Sequence, residues 1–283
     1  METTVSPIRL FLLRFKREKQ AWVALIFLIV LILAACLAPW IAPFSPDQED
    51  YNSALLAPSW AHWAGTDMSG RDIFSRILFG ARISLSVAFL SVTVGAVLGS
   101  ILGVVSGYFG GYLDSIIMRI SDILFAFPSF LLAIAIVAVL GGGIINVIIA
   151  IAIFSTPMFA RLVRSQTLSV LNQPYVKAAQ TMGASHMRIM FKHLIPAASG
   201  SILVYFTMRL GTSILTAASL SFLGLGAKPP SPEWGRMLAD GRDLMLVPGY
   251  MYLTLYPGIC IFLTALSCNV LGDGVRSALD PKS

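Results

Sequence analysis

Charge is what this sequence has least of. Only 12% of its 283 residues are Asp, Glu, Lys or Arg, and mean hydropathy is +0.80. An ordinary soluble domain carries about 25% charge. Such a chain is not a disordered one, and its composition argues against a soluble enzyme of this length. Catalytic and cofactor signals are also missing. There is no G-x-x-x-x-G-K-[ST] loop, so ATP has no phosphate cradle here, and no H-E-x-x-H helix for zinc. The three histidines, His62, His186 and His193, all fall in polar segments. No apolar run pairs Ser with His or Asp with Asp, so nothing suggests an intramembrane protease. The three cysteines, Cys36, Cys260 and Cys268, are odd in number and form no C-x-x-C pair, which argues against a disulfide framework. No catalytic residue, metal or cofactor is therefore expected, and any energy source other than an ion gradient must come from a partner.

What is present is long apolar sequence. A spanning helix needs about 20 mostly apolar residues. Ala21–Trp40 carries no charge and reads as a first span within residues 21–41. Leu33-Ala34-Ala35-Cys36 imitates a lipoprotein signal, but the apolar run continues to Trp40, beyond the usual core of about 7–15 residues, so it reads as uncleaved. Ile83–Leu113 holds a second span. Ile123–Ala160 is too long for one span and is divided at Gly141-Gly142-Gly143 into Ile123–Leu140 and Ile144–Ala160. Ala197–Ala227, apolar but for Arg209, is a fifth, and Tyr250–Gly272, with a kink expected at Pro257, is a sixth. The expectation is an all-α integral membrane protein with six transmembrane helices. Its divisions are a tail at 1–20, an outer segment at 42–82, a five-helix core at 83–272 and a tail at 273–283.

Basic residues set the orientation. With both termini inside, the cytoplasmic segments hold 13 Lys and Arg and the outer segments hold 6. The net charge of +6 is thus mostly cytoplasmic-face charge and not the footprint of a nucleic-acid-binding module.

Four features go beyond topology. Gly95, Gly99, Gly103, Gly107 and Gly111 recur every four residues, a small-residue stripe that allows close helix approach in lipid. The plainer reading is packing between spans of this chain; a dimer interface is the alternative. Arg209 lies inside an apolar run, where a cation is costly and marks a candidate site. It either meets a substrate carboxylate in a translocation path, or pairs with an acid such as Asp114 or Asp122, or snorkels to the inner interface. Residues 175–196 read as two short helices joined at Gly183 on the basic side, with Pro196 opening the next span; they either lie in the interface or dock a cytoplasmic partner. On the other side, Gly65-Thr66-Asp67 and Gly70-Arg71-Asp72 precede Ile73, Phe74, Ile77 and Leu78, which reads as capped turns before an amphipathic surface helix.

These segments resemble a known family, the inner-membrane permease subunits of bacterial ABC importers in the dipeptide/oligopeptide/nickel group, C type. The family's loop motif, E-A-A, three residues and Gly, then a hydrophobic pair and Pro, is matched by Lys177-Ala178-Ala179, Gly183-Ala184 and Leu194-Ile195-Pro196. Its outer motif, G-T-D-x-x-G-R-D-x-x-S-R-x-x-x-G-A-R-x-S-L, is matched from Gly65 to Leu85. Ala218–Gly226 and Leu271–Pro281 are similar to the group as well, and Ile153–Leu168 with Phe206–Leu220 looks most like the glutathione-importer branch. The resemblance implies the type I importer permease fold with both termini cytoplasmic. It implies a second, different permease subunit, two cytoplasmic ATPases, an extracytoplasmic substrate-binding protein and a setting in membrane lipid. Residues 175–196 become the ATPase-coupling loop, and the cargo a peptide or glutathione, with a nickel chelate as the alternative. Lys177 departs from the family's usual Glu and reverses one charge of that loop. Two rivals stand outside the family. An ion-driven secondary transporter predicts inverted repeats and acids within spans, and an intramembrane enzyme predicts a reactive pair; neither is evident.

Overall fold

The computed structural model describes residues 7–279, with side chains from Phe11 onward. A short helix, α1 (Pro7–Phe15), leads into α2 (Lys19–Cys36), whose aliphatic sequence leaves its backbone no partner in lipid but itself. One further turn, α3 (Ala38–Ile41), ends it. Residues 42–72 form turns, with a single bridge between Thr66 and Asp72 and no strand among the described residues.

The helix expected on the outer surface is not separate. Asp72 caps the 37-residue α4 (Ile73–Phe109), its carboxylate accepting the Ser75 N–H at 2.8 Å. Ile73, Arg76 and Leu78 are buried in the first turns of this helix rather than lying on a membrane surface. The amphipathic pattern was real, but its apolar side faces the rest of the chain.

The span expected at Ile123–Leu140 is broken. α5 (Gly111–Phe125) and α6 (Ser129–Leu140) meet at 93° across Pro128. Proline disfavours helical backbone at the preceding residue and lacks the N–H a continuing helix needs. The glycine break at 141–143 occurs as expected, and the Gly143 N–H bonds the Leu225 carbonyl at 3.0 Å. α7 (Ile144–Leu171) runs well beyond Ala160, because hydropathy marks where lipid ends and not where the helix does.

α8 (Pro174–Thr181) and α9 (His186–Ile189) follow. A π turn at Met190–Leu194 then carries the chain into α10 (Ile195–Phe222), so Pro196 lies within a continuous helical run and does not start a fresh span. The wider turn directly precedes Pro196, where an α-helical carbonyl would meet the proline ring. α11 (Trp234–Gly241) is a short helix of the second outer segment, and α12 (Tyr252–Leu279) contains Pro257 and passes Gly272 to Leu279. Most of the expected tail at 273–283 is therefore helix, and residues 280–283 and 1–6 lie outside the described part.

Five helices are long and apolar enough to cross a membrane, or six when α5 and α6 count as one bent span. α2 exposes Val23, Ile26, Val30 and Leu33 as a lipid face, while Leu28 and Ala35 join a core with α4, α10, α11 and α12. On the outer side, Arg76 is 1% exposed and donates to the carbonyls of Pro46 (3.0 Å) and Pro230 (3.2 Å), tying the two outer segments to α4.

Candidate functional site

The basic-side segment is built by local rules. α8 ends in a Schellman motif: Gly183 sits at φ +78°, its N–H bonds the Gln180 carbonyl at 3.0 Å, and the Ala184 N–H reaches back to Ala179 at 3.0 Å. Ser185 then caps α9, accepting the Arg188 N–H. Val176, Ile189, Met190 and Leu194 are buried in one cluster with Val104 of α4 and Val163 of α7. Ala179 faces inward, while Lys177, Ala178 and Gly183 are exposed. Met182 (81% exposed) and Met187 (60%) stand out beside them, and no acid occurs between Asn172 and Pro196. The outcome is a basic, methionine-studded knob fixed to the inner ends of two long helices.

Those two helices are held together by the glycine stripe. A Cβ on Gly95 would lie 2.7 Å from Ser155 Cβ, on Gly99 2.6 Å from Phe159 Cβ, on Gly103 2.9 Å from Val163 Cβ and on Gly107 2.8 Å from Thr167 Cβ. All four face α7, so backbone meets backbone along some three turns. Gly111 drops out of the row: it follows the end of α4 at φ +56° with nothing near it. Two ion pairs add α5 to the unit. Asp114 takes both Arg164 Nε and Nη2 at 2.6 Å and accepts the Ser106 hydroxyl, and Asp122 pairs with Arg161, whose guanidinium lies 4.2 Å from the Phe125 ring centroid.

Asp114 and Asp122 are thus engaged elsewhere, and of the alternatives for Arg209 the pairing with either acid does not occur. Arg209 donates to Ser155 Oγ at 3.1 Å and stands 5.1 Å from the Phe154 ring centroid. Its buried Nε has no partner among the described residues. It lines a cavity of about 190 Å³ with Leu124, Phe125, Phe127, Ser129, Phe154 and Met158.

Comparison with known proteins resolves the class. Residues 95–283 match the family described as binding-protein-dependent transport system inner membrane component, and residues 6–58 match the N-terminal TM domain of oligopeptide transport permease C. The chain belongs to this family of transport permeases. It is 53% identical over 279 residues to the glutathione transport system permease protein GsiD of Escherichia coli O6:K15:H31 (strain 536 / UPEC), covering 98% of this chain and 91% of that protein. The same figures hold for GsiD of Shigella boydii serotype 4 (strain Sb227). The fold matches an inward-facing structure of the MetNI methionine ABC transporter (TM-score 0.58, 20% identity, 74% of this chain and 98% of that one). It also matches an amino acid ABC transporter crystallised with histidines (TM-score 0.52, 17% identity, 71% and 92%). The chain is a multi-pass permease of the inner membrane with the type I importer fold.

In the second outer segment, the sequence reads residues 228–232 as a stiff turn followed by Glu233, Trp234 and Arg236, and the structure buries the first two of these. Glu233 is 2% exposed, wedged with the fully buried Trp234 between α4 and α10. Its carboxylate accepts the Arg236 N–H at 2.9 Å, capping α11, and the Ser84 hydroxyl at 3.3 Å. Trp234 Nε1 donates to the Ile77 carbonyl at 3.1 Å. Burial pushes the Glu233 carboxyl above the ordinary carboxylate range despite the hydrogen bonds it accepts.

Proposed function

We propose that this permease forms half of the membrane path of an ATP-driven importer for peptides, glutathione included, and that residues 175–196 receive the motion of a cytoplasmic ATPase. The observation that carries the reading is 53% identity to a glutathione transport system permease over 98% of the chain. A second, different permease subunit, two ATPases and an extracytoplasmic binding protein complete the assembly, with both termini of this chain in the cytoplasm.

The knob at α8–α9 suits the coupling role. Exposed Lys177, Ala178, Met182 and Met187 offer a contact face, small where a partner helix must come close and flexible where it must fit. Ala179, Ala184 and Gly183 make the turn between the two helices. A push on α8 passes to α4 and α7 through Val176, Ile189 and Leu194, and the glycine stripe makes those helices move as a body. ATP binding draws the ATPases together, and the path alternates between outward and inward access because nucleotide binds the two states unequally. Lys177 presents a cation where the family usually presents Glu, so the salt bridge of the family's Glu does not carry over to this loop.

The test is ATPase activity of the reconstituted complex with its binding protein, for wild type and Gly183→Pro, over a panel of di- and tripeptides, glutathione and nickel. Proline cannot adopt φ +78° and removes the N–H bonded to Gln180. The expected result is peptide- or glutathione-stimulated hydrolysis that collapses in an assembled mutant. An unchanged rate and unchanged uptake would remove the coupling role from residues 175–196, and stimulation by nickel alone would change the cargo.

A further inference from the structure

Arg209 stands at the midpoint of the 28-residue α10, 13 residues from Phe222, or roughly 20 Å from the outer end of the helix. A cation at that depth is retained at a cost and normally sits against an acid. Here its near neighbours are neutral. Ser155 Oγ accepts from Nη2 and the Phe154 face lies beside the guanidinium, so both orient the group without cancelling its charge. Asp114 and Asp122 are held by Arg164 and Arg161.

The cavity beside Arg209 is formed by the break between α5 and α6. None of its lining residues is acidic, and Phe125, Phe127 and Phe154 give it aromatic walls. Ser129, also in the lining, is the first residue of α6, a helix start that no side chain caps and whose dipole adds positive potential on the same side. Phe125, Phe127 and Ser129 are exposed at the surface of this subunit, so the cavity reaches that surface.

We propose that Arg209 and the α5–α6 break form a station for the free carboxylate of the cargo, at mid-membrane on the wall of the translocation path. The inference rests on the peptide-import reading above. Ser155 and Phe154 hold the guanidinium in place while the station is empty. A permanent acid would saturate Arg209, whereas a neutral shell leaves it able to take a passing carboxylate and release it. Passage requires binding strong enough to enter and weak enough to leave. The cavity of about 190 Å³ suits one end of a peptide, with the remainder lying against the second permease subunit.

The test uses the complete importer in proteoliposomes, with the binding protein saturated in turn by a tripeptide without acidic side chains and by the same tripeptide as its C-terminal amide. Wild type is expected to import the free acid at least tenfold faster than the amide. In Arg209→Gln that ratio is expected to fall to about one in an assembled complex. Arg209→Lys, which keeps a cation but not the fork, is expected to keep a preference for the acid at a lower rate. Equal import of acid and amide by wild type overturns the station while leaving the peptide-import reading intact. So does a ratio unchanged in Arg209→Gln. If Arg209→Gln fails to assemble, the ratio in Arg209→Lys decides: a ratio of one with both rates lowered alike refutes the proposal. Import of no peptide at all by wild type refutes the peptide-import reading itself.

Discussion

Replacing Gly99 by alanine should push α4 off α7. In an open helical position the change would stabilise, since alanine is favoured over glycine by about 1 kcal/mol in a helix. At Gly99 the new Cβ would lie 2.6 Å from Phe159 Cβ and within clashing distance of the Thr156 carbonyl oxygen. These are backbone or root atoms of α7, and no rotamer change moves them. The helices must part by about 1 Å, and a gap of that order forfeits about a quarter to a half of each contact it opens. Overpacking costs about 1–3 kcal/mol, and the propensity gain offsets about 1 kcal/mol of that, so the net expectation is a loss of up to about 2 kcal/mol. Gly200 is the control: its Cβ would meet Leu279 Cδ1 at 3.5 Å, an ordinary contact, and Gly200→Ala should stabilise slightly. Gly99→Ala with Gly103→Ala should cost less than the sum of the two, because the first opens the gap that the second needs. Reversible unfolding of the purified permease in bicelles measures all four. A Gly99→Ala protein as stable as wild type, or stabilised like Gly200→Ala, would refute the stripe as a close-packed seam.

Three further outcomes follow from the remaining polar geometry. Asp67→Asn removes the carboxylate 3.6 Å from the buried Arg76, leaving only the weaker influence of Asp240 and Asp47, and weakens the pair with Arg71 at 2.7 Å; a loss of about 3 kcal/mol is expected, read as a lowered unfolding midpoint, and a midpoint unchanged within a degree contradicts it. Glu233 has a raised pKa when folded, so the native state keeps its proton to higher pH than the unfolded chain does. Stability should therefore fall as pH rises from the ordinary Glu value towards the folded one, and Glu233→Gln should flatten that part of the curve; parallel curves for the two proteins would contradict it. The Asp114–Arg164 pair is partly exposed and should contribute only about 1 kcal/mol, but Asp114→Arg should uncouple α5 from α7 and lower peptide-stimulated ATPase activity. Adding Arg164→Asp should restore much of it, and no recovery in the double variant would mean that the pair is incidental.

The membrane class, the apolar runs, the four-residue glycine spacing and the turn at Gly183 were legible in the sequence, because each depends on composition or on a local rule. Lipid leaves a long apolar segment no option but helix, and the left-handed turn after α8 needs a glycine whatever surrounds it. Boundaries were less legible. α7 and α12 outrun their apolar stretches because charged residues end the lipid crossing without ending the helix. Pro128 was a visible signal for the break between α5 and α6, but the unbroken hydropathy from Ile123 to Leu140 hid it.

Only tertiary structure decided which partner each polar group meets. Arg209 is separated by 87 or more residues from Asp122 and Asp114, and sequence offered those acids as freely as any other. The 93° bend lays α5 along Arg161 and Arg164, which take both acids and leave Arg209 facing Ser155 and a cavity. The first turns of α4 likewise read as a surface helix until Trp234 and Glu233 closed over them. The physical reason is the same in each case. Hydrophobicity and backbone hydrogen bonding act along the chain and can be read from it. A charge in a low-dielectric interior is satisfied by whichever group the fold brings within about 3–4 Å, and that distance exists only after the helices have packed.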